Sequence, residues 1–362
     1  GRSWIAPAAT AAVPLVAGLA VWPTVGTDAQ EGTRTVALVQ GNAPDVGIGL
    51  LGERDTLRAN HLAESADLLD RIRTGDVPDP DLVVWPETAT DTDGDDPRID
   101  AMVDAFDTPT LVGALYRPDG ATATENAAVL WEPGQGPTGH YTKRELVPFA
   151  EYVPARDLAA LFTPFLGNTR DMRWGTDPVV LDTAGTGVGT VICYEISYDH
   201  PARDLVNNGA ELLVTPTNNA WFGRGEMTHQ QLAMSRVRAV EHGRAVAVAA
   251  TSGVSAIVDP DGSVRTATDT YTDTSLVAEM PLRRETTLSD RLGPWTEYTL
   301  VVAAAAAVAT GGALRLRGRT RHTTDTRAVD APHASTAEGE QHGGGDTAQG
   351  GDRPGAGGHP DL

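Results

Sequence analysis

The 362-residue sequence predicts a layered α/β fold bounded by transmembrane helices. Short β-type runs alternate with amphipathic helical patterns through the middle of the chain, which is typical of stacked sheets and helices. An uncharged apolar stretch lies on either side of this middle region. These observations predict a transmembrane helix over 1–25, a folded domain over 26–294, a second transmembrane helix over 295–315 and a tail over 316–362.

The first apolar stretch, residues 4–24, carries no charge over a length that matches the hydrocarbon core of a bilayer. The second stretch, residues 298–314, is shorter and alanine-rich. A signal peptide is the alternative for the first, and a soluble helix is the alternative for the second. Basic residues flank the outer end of each stretch and favour a cytoplasmic location for both ends, so we expect the domain between them to be extracytoplasmic. These residues are Arg2, Arg315, Arg317, Arg319 and Arg321.

The predicted strands are short runs rich in Val, Ile, Leu and Ala, bounded by turn-forming residues. In order they are TRTVALVQ (33–40), DLVVWPE (81–87), TLVGALYR (110–117), NAAVLWEP (126–133), PVVLDTAG (178–185), VGTVICYE (188–195), ELLVTPTN (211–218) and AVAVAATSGVSAIVDP (245–260). The two clearest helices have apolar residues at intervals of three and four, over 54–73 and 227–244.

The net charge of −21 argues against a nucleic-acid partner, because a phosphate backbone requires a basic surface. The tail over 316–362 is rich in Gly, Asp and Thr and has almost no large apolar residue. We therefore expect it to be disordered and cytoplasmic. We expect the protein to use no cofactor and no metal.

Cys193 is the one cysteine in the chain, so it cannot form an internal disulfide and is either a core residue or a nucleophile. A reactive thiol needs a base for its proton and a donor group for the charge that develops on the substrate. Glu87 follows a predicted buried strand and can supply the base. Lys143 precedes a loop rich in proline and aromatic residues and can supply the cation.

The motifs WPET, K-x-x-L-V-P-F-x-E-Y-V-P and ICYE occur in this order around these three residues. Together they resemble the nitrilase superfamily, whose members use a Glu-Lys-Cys triad. The long middle motif and NNAWFG (218–223) are similar to the apolipoprotein N-acyltransferases of that superfamily. The resemblance runs from Val36 to Gly293 and implies the nitrilase-type four-layer α-β-β-α sandwich.

The resemblance also implies a reaction and its participants. Cys193 attacks a phospholipid ester and keeps the acyl chain as a thioester, while Glu87 takes and returns protons. Lys143 and the backbone N–H of Tyr194 hold the oxyanion. The acceptor is the amine of the diacylglyceryl-cysteine of an apolipoprotein, and the enzyme is expected to be a membrane-embedded monomer.

Further residues match positions of the family motifs. Glu151 and Glu195 have acidic counterparts near the active site of the family, although structural ion pairing is the alternative for both. Tyr194, Trp221 and Phe222 are expected to line the acyl or substrate site, although packing alone explains such aromatics equally well. The sequence departs from the common NDAWFG form at Asn219, where an aspartate is frequent.

Two other functions remain open at this stage. A nitrilase-type amidohydrolase would act on small amides with the same triad, but it requires no membrane spans. A catalytically inactive interaction domain would be indicated by loss of a triad residue, and all three are present.

Overall fold

The computed structural model describes residues 5–22, 25–43, 54–118, 120–159 and 171–327. Within these residues the chain separates into two compact units, divided between Thr296 and Glu297. The first unit is built around a seven-stranded sheet and a six-stranded sheet. This arrangement confirms the predicted two-sheet α/β architecture.

The helices include both of those predicted from periodicity, together with others that periodicity did not indicate. They are α1 (Ile5–Val21), α2 (Arg54–Thr74), α3 (Pro97–Phe106), α4 (Arg156–Ala159), α5 (His200–Asn207), α6 (Met227–His242), α7 (Leu288–Leu292) and α8 (Trp295–Arg327). The strands are β1 (Thr33–Gln40), β2 (Leu82–Val84), β3 (Thr90–Thr92), β4 (Thr110–Tyr116), β5 (Glu125–Glu132), β6 (Gly136–Thr142), β7 (Val180–Thr183), β8 (Thr186–Thr190), β9 (Leu212–Thr217), β10 (Val246–Ala250), β11 (Ala256–Val258), β12 (Val264–Ala267) and β13 (Thr274–Pro281).

The first sheet has the order β13-β1-β2-β4-β5-β6, with β3 beside β4. Strands β1, β2 and β4 are parallel, with Val36 opposite Leu82 and Val83 opposite Thr110. Strands β13, β5 and β6 run antiparallel to their neighbours. The second sheet has the order β12-β11-β10-β9-β8-β7, and its central strands β8, β9 and β10 are parallel.

The main core lies between the two sheets. Leu38 of β1 belongs to the same buried cluster as Val214 of β9 and Val246 of β10. On β1 the neighbouring Ala37 and Val39 belong instead to a second cluster, because successive strand residues point to opposite faces.

Helices cover the outer faces. Leu68 of α2 and Ile99 of α3 pack in the second cluster against the first sheet. Leu205 of α5 and Ala239 of α6 pack with the second sheet. The layer order is therefore helices, sheet, sheet, helices, as in the predicted sandwich.

Local sequence signals fix several helix ends. Helix α3 begins at Pro97 after Asp96, whose side chain accepts a hydrogen bond from the backbone N–H of Arg98. Helix α6 ends at His242 and is capped by Gly243, whose φ of 58° lies in the left-handed region that glycine adopts without a steric penalty. The α6 end returns the chain directly to β10.

The two predicted membrane spans differ in the structure. Residues 295–315 of α8 are long and apolar enough to cross a bilayer, and they form the one such segment among the described residues. Helix α1 covers seventeen residues of the predicted N-terminal span, a length of about 26 Å, which is slightly short of the ~30 Å hydrocarbon core. Helix α8 continues to Arg327, twelve residues into the predicted tail, and residues 328–362 lie outside the described part of the chain.

Candidate active site

The three predicted catalytic residues lie close together, and each follows the end of a strand. Glu87 lies three residues after β2, and Lys143 directly follows β6. Cys193 lies three residues after β8 in the other sheet. Because β2 and β8 are each part of a parallel set, their carboxyl ends form the edges at which α/β proteins commonly hold ligands.

Lys143 is the centre of a buried polar cluster. Its Nζ donates to Glu87 Oε1 at 2.9 Å and to Glu151 Oε1 at 3.0 Å, and only 1% of the Lys143 surface is exposed. Asn126 Nδ2 donates to the same two oxygen atoms. The second oxygen of each carboxylate accepts a backbone N–H, from Asn218 at 2.9 Å for Glu87 and from Val147 at 2.7 Å for Glu151.

Cys193 occupies an unusual backbone position. Its φ of 53° lies in the left-handed region, which is costly for a residue with a side chain and is frequently retained at functional sites. The strand ends at Thr190, and Cys193 begins a 3₁₀ helix, Cys193–Ser197. The prediction of a strand through 195 was therefore wrong at its end. The Cys193 thiol hydrogen-bonds to Glu87 and Thr217, so Glu87 touches both other members of the predicted triad.

The electrostatics favour a neutral thiol in the resting enzyme. Burial and the Glu87 charge raise the pKa of Cys193 to about 12, although Lys143 opposes the shift. Burial also raises the pKa of Glu87. The Lys143 charge and the hydrogen-bond donors lower this pKa by a larger amount, so it lies below its ordinary value. Burial lowers the pKa of Lys143, and the Glu87 and Glu151 carboxylates more than offset this effect. The site therefore combines an ammonium group, two carboxylates and a protonated thiol.

Glu195 is fully buried below the site. Its carboxylate accepts hydrogen bonds from the backbone N–H groups of Ile192, Arg144 and Glu145 and from the Tyr141 hydroxyl, at 2.6 to 3.2 Å. Burial raises the pKa of Glu195 to about 7 despite these donors. The contacts join the segment after β6, which carries Lys143, to the segment that carries Cys193.

The aromatic candidates lie at the surface of the same region. Tyr194 directly follows Cys193, is 44% exposed, and packs edge-on against Tyr198 with the ring centroids 5.6 Å apart. Trp221 and Phe222 end a 3₁₀ helix, Asn219–Phe222, and are also exposed. Large exposed aromatics next to a buried reactive centre are suited to contact an apolar substrate.

Sequence reasoning missed Asn126, Tyr141 and Thr217. Asn126 lies near the start of β5. In the sequence it looks like an ordinary polar residue at the end of an apolar strand, so no sequence pattern indicated its role. Thr217 ends β9, where its hydroxyl also donates to Gln231 Oε1 at 2.8 Å. A polar residue at the end of each parallel strand is the signal that could have indicated Thr217 and Asn218.

This arrangement can perform acyl transfer. The thiol can act as a nucleophile, Glu87 can accept its proton, and Lys143 can donate to an oxyanion. Because the thiol is hard to ionise and Glu87 is held as a carboxylate, proton transfer must accompany nucleophilic attack.

Comparisons with known proteins agree with the fold. The family model for carbon-nitrogen hydrolases matches residues 35–288. The chain is 35% identical over 313 residues to an apolipoprotein N-acyltransferase of Mycolicibacterium smegmatis, covering 83% of this chain and 52% of that protein. It is 32% identical over 236 residues to an apolipoprotein N-acyltransferase of Geobacter metallireducens, covering 63% and 45% respectively. The chain thus spans about half the length of the curated relatives that it matches.

Among solved structures, the chain is similar to Saccharomyces cerevisiae Nit3, a member of branch 10 of the nitrilase superfamily. The TM-score is 0.50 at 18% identity, covering 69% of this chain and 90% of that one. At this identity the likeness concerns the fold alone.

Proposed function

The chain belongs to the carbon-nitrogen hydrolase family, and from that premise we propose that it is a membrane-bound apolipoprotein N-acyltransferase. It moves a fatty acyl chain from a phospholipid to the amine of the N-terminal diacylglyceryl-cysteine of apolipoproteins. The observation that carries the proposal is the buried cluster in which Glu87 contacts both Lys143 and Cys193. The sequence similarity of the chain to apolipoprotein N-acyltransferases extends over most of its length.

In the first half of the reaction, the Cys193 sulfur attacks the ester carbonyl as Glu87 takes the thiol proton. Lys143 and the backbone N–H of Tyr194 donate hydrogen bonds to the oxyanion, and each such donor contributes roughly 3–4 kcal/mol. The ester C–O bond breaks, Glu87 returns the proton to the leaving alkoxide, and the lysophospholipid departs. The acyl chain remains as a thioester on Cys193.

In the second half, the apolipoprotein amine attacks the thioester carbonyl and Glu87 takes a proton from the amine. Collapse of the tetrahedral intermediate breaks the C–S bond and forms the amide, and Glu87 returns the proton to the Cys193 sulfur. Glu151 keeps Lys143 aligned through its direct contact, and Glu195 fixes the segment on which Cys193 is mounted. Tyr194, Trp221 and Phe222 line the path of the acyl chain.

The membrane setting follows from the apolar segments. We propose that 1–25 and 295–315 both span the cytoplasmic membrane, and that 26–294 is extracytoplasmic. The arginines that follow the second segment favour the cytoplasmic side for that end of the chain. The enzyme acts as a monomer, with the phospholipid and the apolipoprotein as its two substrates.

The test is a search for the acyl-enzyme. The full chain in mixed micelles is incubated with phospholipid carrying a labelled acyl group, and the protein is then treated with hydroxylamine. We expect a hydroxylamine-sensitive label on the wild type and none on Cys193→Ala. Absence of label on the wild type, or full transfer activity in Cys193→Ala, would refute the mechanism. Hydrolysis of small amides without transfer to a lipopeptide amine would instead indicate the amidohydrolase.

A further inference from the structure

The exposed large apolar side chains of the α/β unit are confined to part of its surface. Among the described residues of 26–148, which include the helices α2 and α3 that cover the first sheet, no large apolar side chain is exposed. On the other outer face, α6 exposes Met234, Val237 and Val240, at 37%, 56% and 36%. Exposed apolar residues that cluster on one face of a domain indicate a surface that contacts a partner.

These three residues form one stripe along the outward face of α6. Residues three apart in a helix are neighbours on its surface, so Val237 lies between Met234 and Val240. The opposite side of α6 is buried on the second sheet and includes Ser235 and Ala239. The stripe therefore faces away from the core of the domain.

The first of the two proposed membrane spans ends beside α6. Trp22, which directly follows α1, donates its indole N–H to the backbone carbonyl of Asp261 at 2.8 Å. Asp261 lies in the turn between β11 and β12. In the same turn, the carbonyl of Gly262 accepts a hydrogen bond from Arg236 Nε of α6 at 2.7 Å. The end of α1 is thus joined through one turn to the carboxyl-terminal half of α6.

The second proposed span also begins beside α6. Helix α7 ends two residues before α8 begins, and it contacts the last turn of α6. The Thr287 hydroxyl donates to the backbone carbonyl of Glu241 at 2.6 Å, and Asp290 Oδ1 lies 2.6 Å from Nδ1 of the buried His242. Both proposed spans therefore connect to the domain near the carboxyl-terminal end of α6.

The other end of α6 lies near the proposed catalytic site. Trp221 and Phe222, the exposed aromatics proposed to line the path of the acyl chain, shortly precede the start of α6 at Met227. The sixteen residues of α6 separate the two ends by about 24 Å. A membrane phospholipid must reach Trp221 at one end, and the spans enter the bilayer at the other. Both ends are close to the bilayer when α6 lies along its surface.

We propose that the outward face of α6 lies on the surface of the bilayer, an inference that rests on the proposed membrane-bound N-acyltransferase function. Met234, Val237 and Val240 contact lipid at the boundary between the headgroups and the acyl chains. Apolar faces of helices that lie in this boundary are immersed by about 5–10 Å. The second sheet is then on the membrane side of the domain, and α2, on the opposite outer face, is in water.

The test measures the depth of a nitroxide spin label at Val237 in the bilayer. The full chain carrying Val237→Cys and Cys193→Ala is labelled and reconstituted into vesicles of phosphatidylethanolamine and phosphatidylglycerol. Collision rates of the label with oxygen, which is concentrated in lipid, and with a water-soluble nickel chelate give its depth. We expect the label to be immersed by about 5–10 Å. Because Val237 is more than half exposed, the label does not disturb the core.

The matched control is Ala66→Cys in the same Cys193→Ala background, because Ala66 is an exposed residue of α2 on the opposite outer face. Its label should collide more often with the nickel chelate than with oxygen. The same behaviour at Val237 would show that the α6 face is in water and would refute the proposal. Exclusion of both reagents from Val237 would refute it too, and dipolar broadening between labels would then identify a second copy of the chain as the partner.

This measurement is independent of acyl transfer, because the Cys193→Ala background lacks the proposed nucleophile. A wild type that forms no acyl-enzyme, together with an immersed Val237 label, would refute the proposed function and leave the membrane surface supported. A wild type that forms the acyl-enzyme, together with a Val237 label in water, would support the proposed function and refute the membrane surface.

Discussion

Each proposed catalytic residue owes its protonation state to the others. Lys143 places one positive charge between the carboxylates of Glu87 and Glu151, so with a neutral thiol the cluster carries one net negative charge. Burial and this net charge both make a negative charge on Cys193 unfavourable, which agrees with a thiol pKa of about 12. The arrangement protects an unpaired cysteine from oxidation until a substrate arrives, because oxidants attack the thiolate.

The Glu87→Gln variant separates the charge of Glu87 from its role as a base. The Glu87 charge raises the pKa of Cys193, so neutralising it lowers that pKa and increases the thiolate fraction. We expect iodoacetamide to alkylate Cys193 about tenfold faster at pH 8 in the variant. Acyl transfer should fall by roughly 10²-fold or more, because the general base is lost.

The rate of Cys193 alkylation should increase with pH. Wild-type alkylation should rise about tenfold per pH unit between pH 7 and 9.5 without levelling, since the thiol pKa of about 12 lies above this range. Glu151→Gln is the matched control, because Glu151 contacts Lys143 and Asn126 as Glu87 does, whereas the contact with the thiol is made by Glu87. A wild-type plateau near pH 8.5, or slower alkylation of Glu87→Gln than of the wild type, would contradict this account.

At the scale of elements, the site depends on how closely β4 approaches the segment after β2. Gly113 of β4 faces that segment, and a Cβ at this position would lie 2.0 Å from the Pro86 carbonyl oxygen and 2.7 Å from Glu87 Cα. A side chain there would displace Glu87 from Lys143 and Cys193. Glycine is required here by close packing of one backbone against another.

Gly113→Ala is therefore expected to lower the free energy of unfolding by about 1–3 kcal/mol through overpacking. It should also reduce acylation of Cys193 at least tenfold, because roughly 1 Å of displacement of a catalytic group is costly. Gly139→Ala on β6 is the matched control, since its Cβ would meet only Leu181 Cδ2, at 3.5 Å. Thermal unfolding and single-turnover acylation measure the two effects, and equal behaviour of both variants would exclude the packing argument.

The sequence predicted those strands and site residues that have a local pattern. It did not predict side-chain contacts between residues that are distant in the chain. Apolar runs ending in polar residues identified β2, β8 and β9, and so indicated Glu87 and the region of Cys193. The end of β8 was misplaced because Val191 and Ile192 continue the apolar pattern after the strand has ended. Asn126 was missed because its two carboxylate partners lie 39 and 25 residues away.

At the scale of the whole molecule, the chain combines a folded α/β unit with a separate apolar helical segment. Side chains from Glu297 to Arg315 are exposed, which is unfavourable in water for so apolar a helix and favourable in a bilayer. The proposed orientation follows from the arginines at its far end. In the proposed orientation, residues 26–294 lie on the extracytoplasmic side of the membrane.

The lone cysteine makes this orientation directly testable. One additional cysteine is introduced in each of two variants, at Asn207, an exposed residue at the end of α5, or at Ser335 in the tail. Cells that express each variant are treated with a membrane-impermeant maleimide. We expect Asn207→Cys to be labelled in intact cells and Ser335→Cys only after permeabilisation, because the proposed topology puts the two sites on opposite sides of the membrane. The unmodified chain supplies the blank, since Cys193 is buried and its pKa of about 12 keeps it protonated. Labelling of both sites in intact cells would show that 295–315 does not span the membrane, and the reverse pattern would invert the topology.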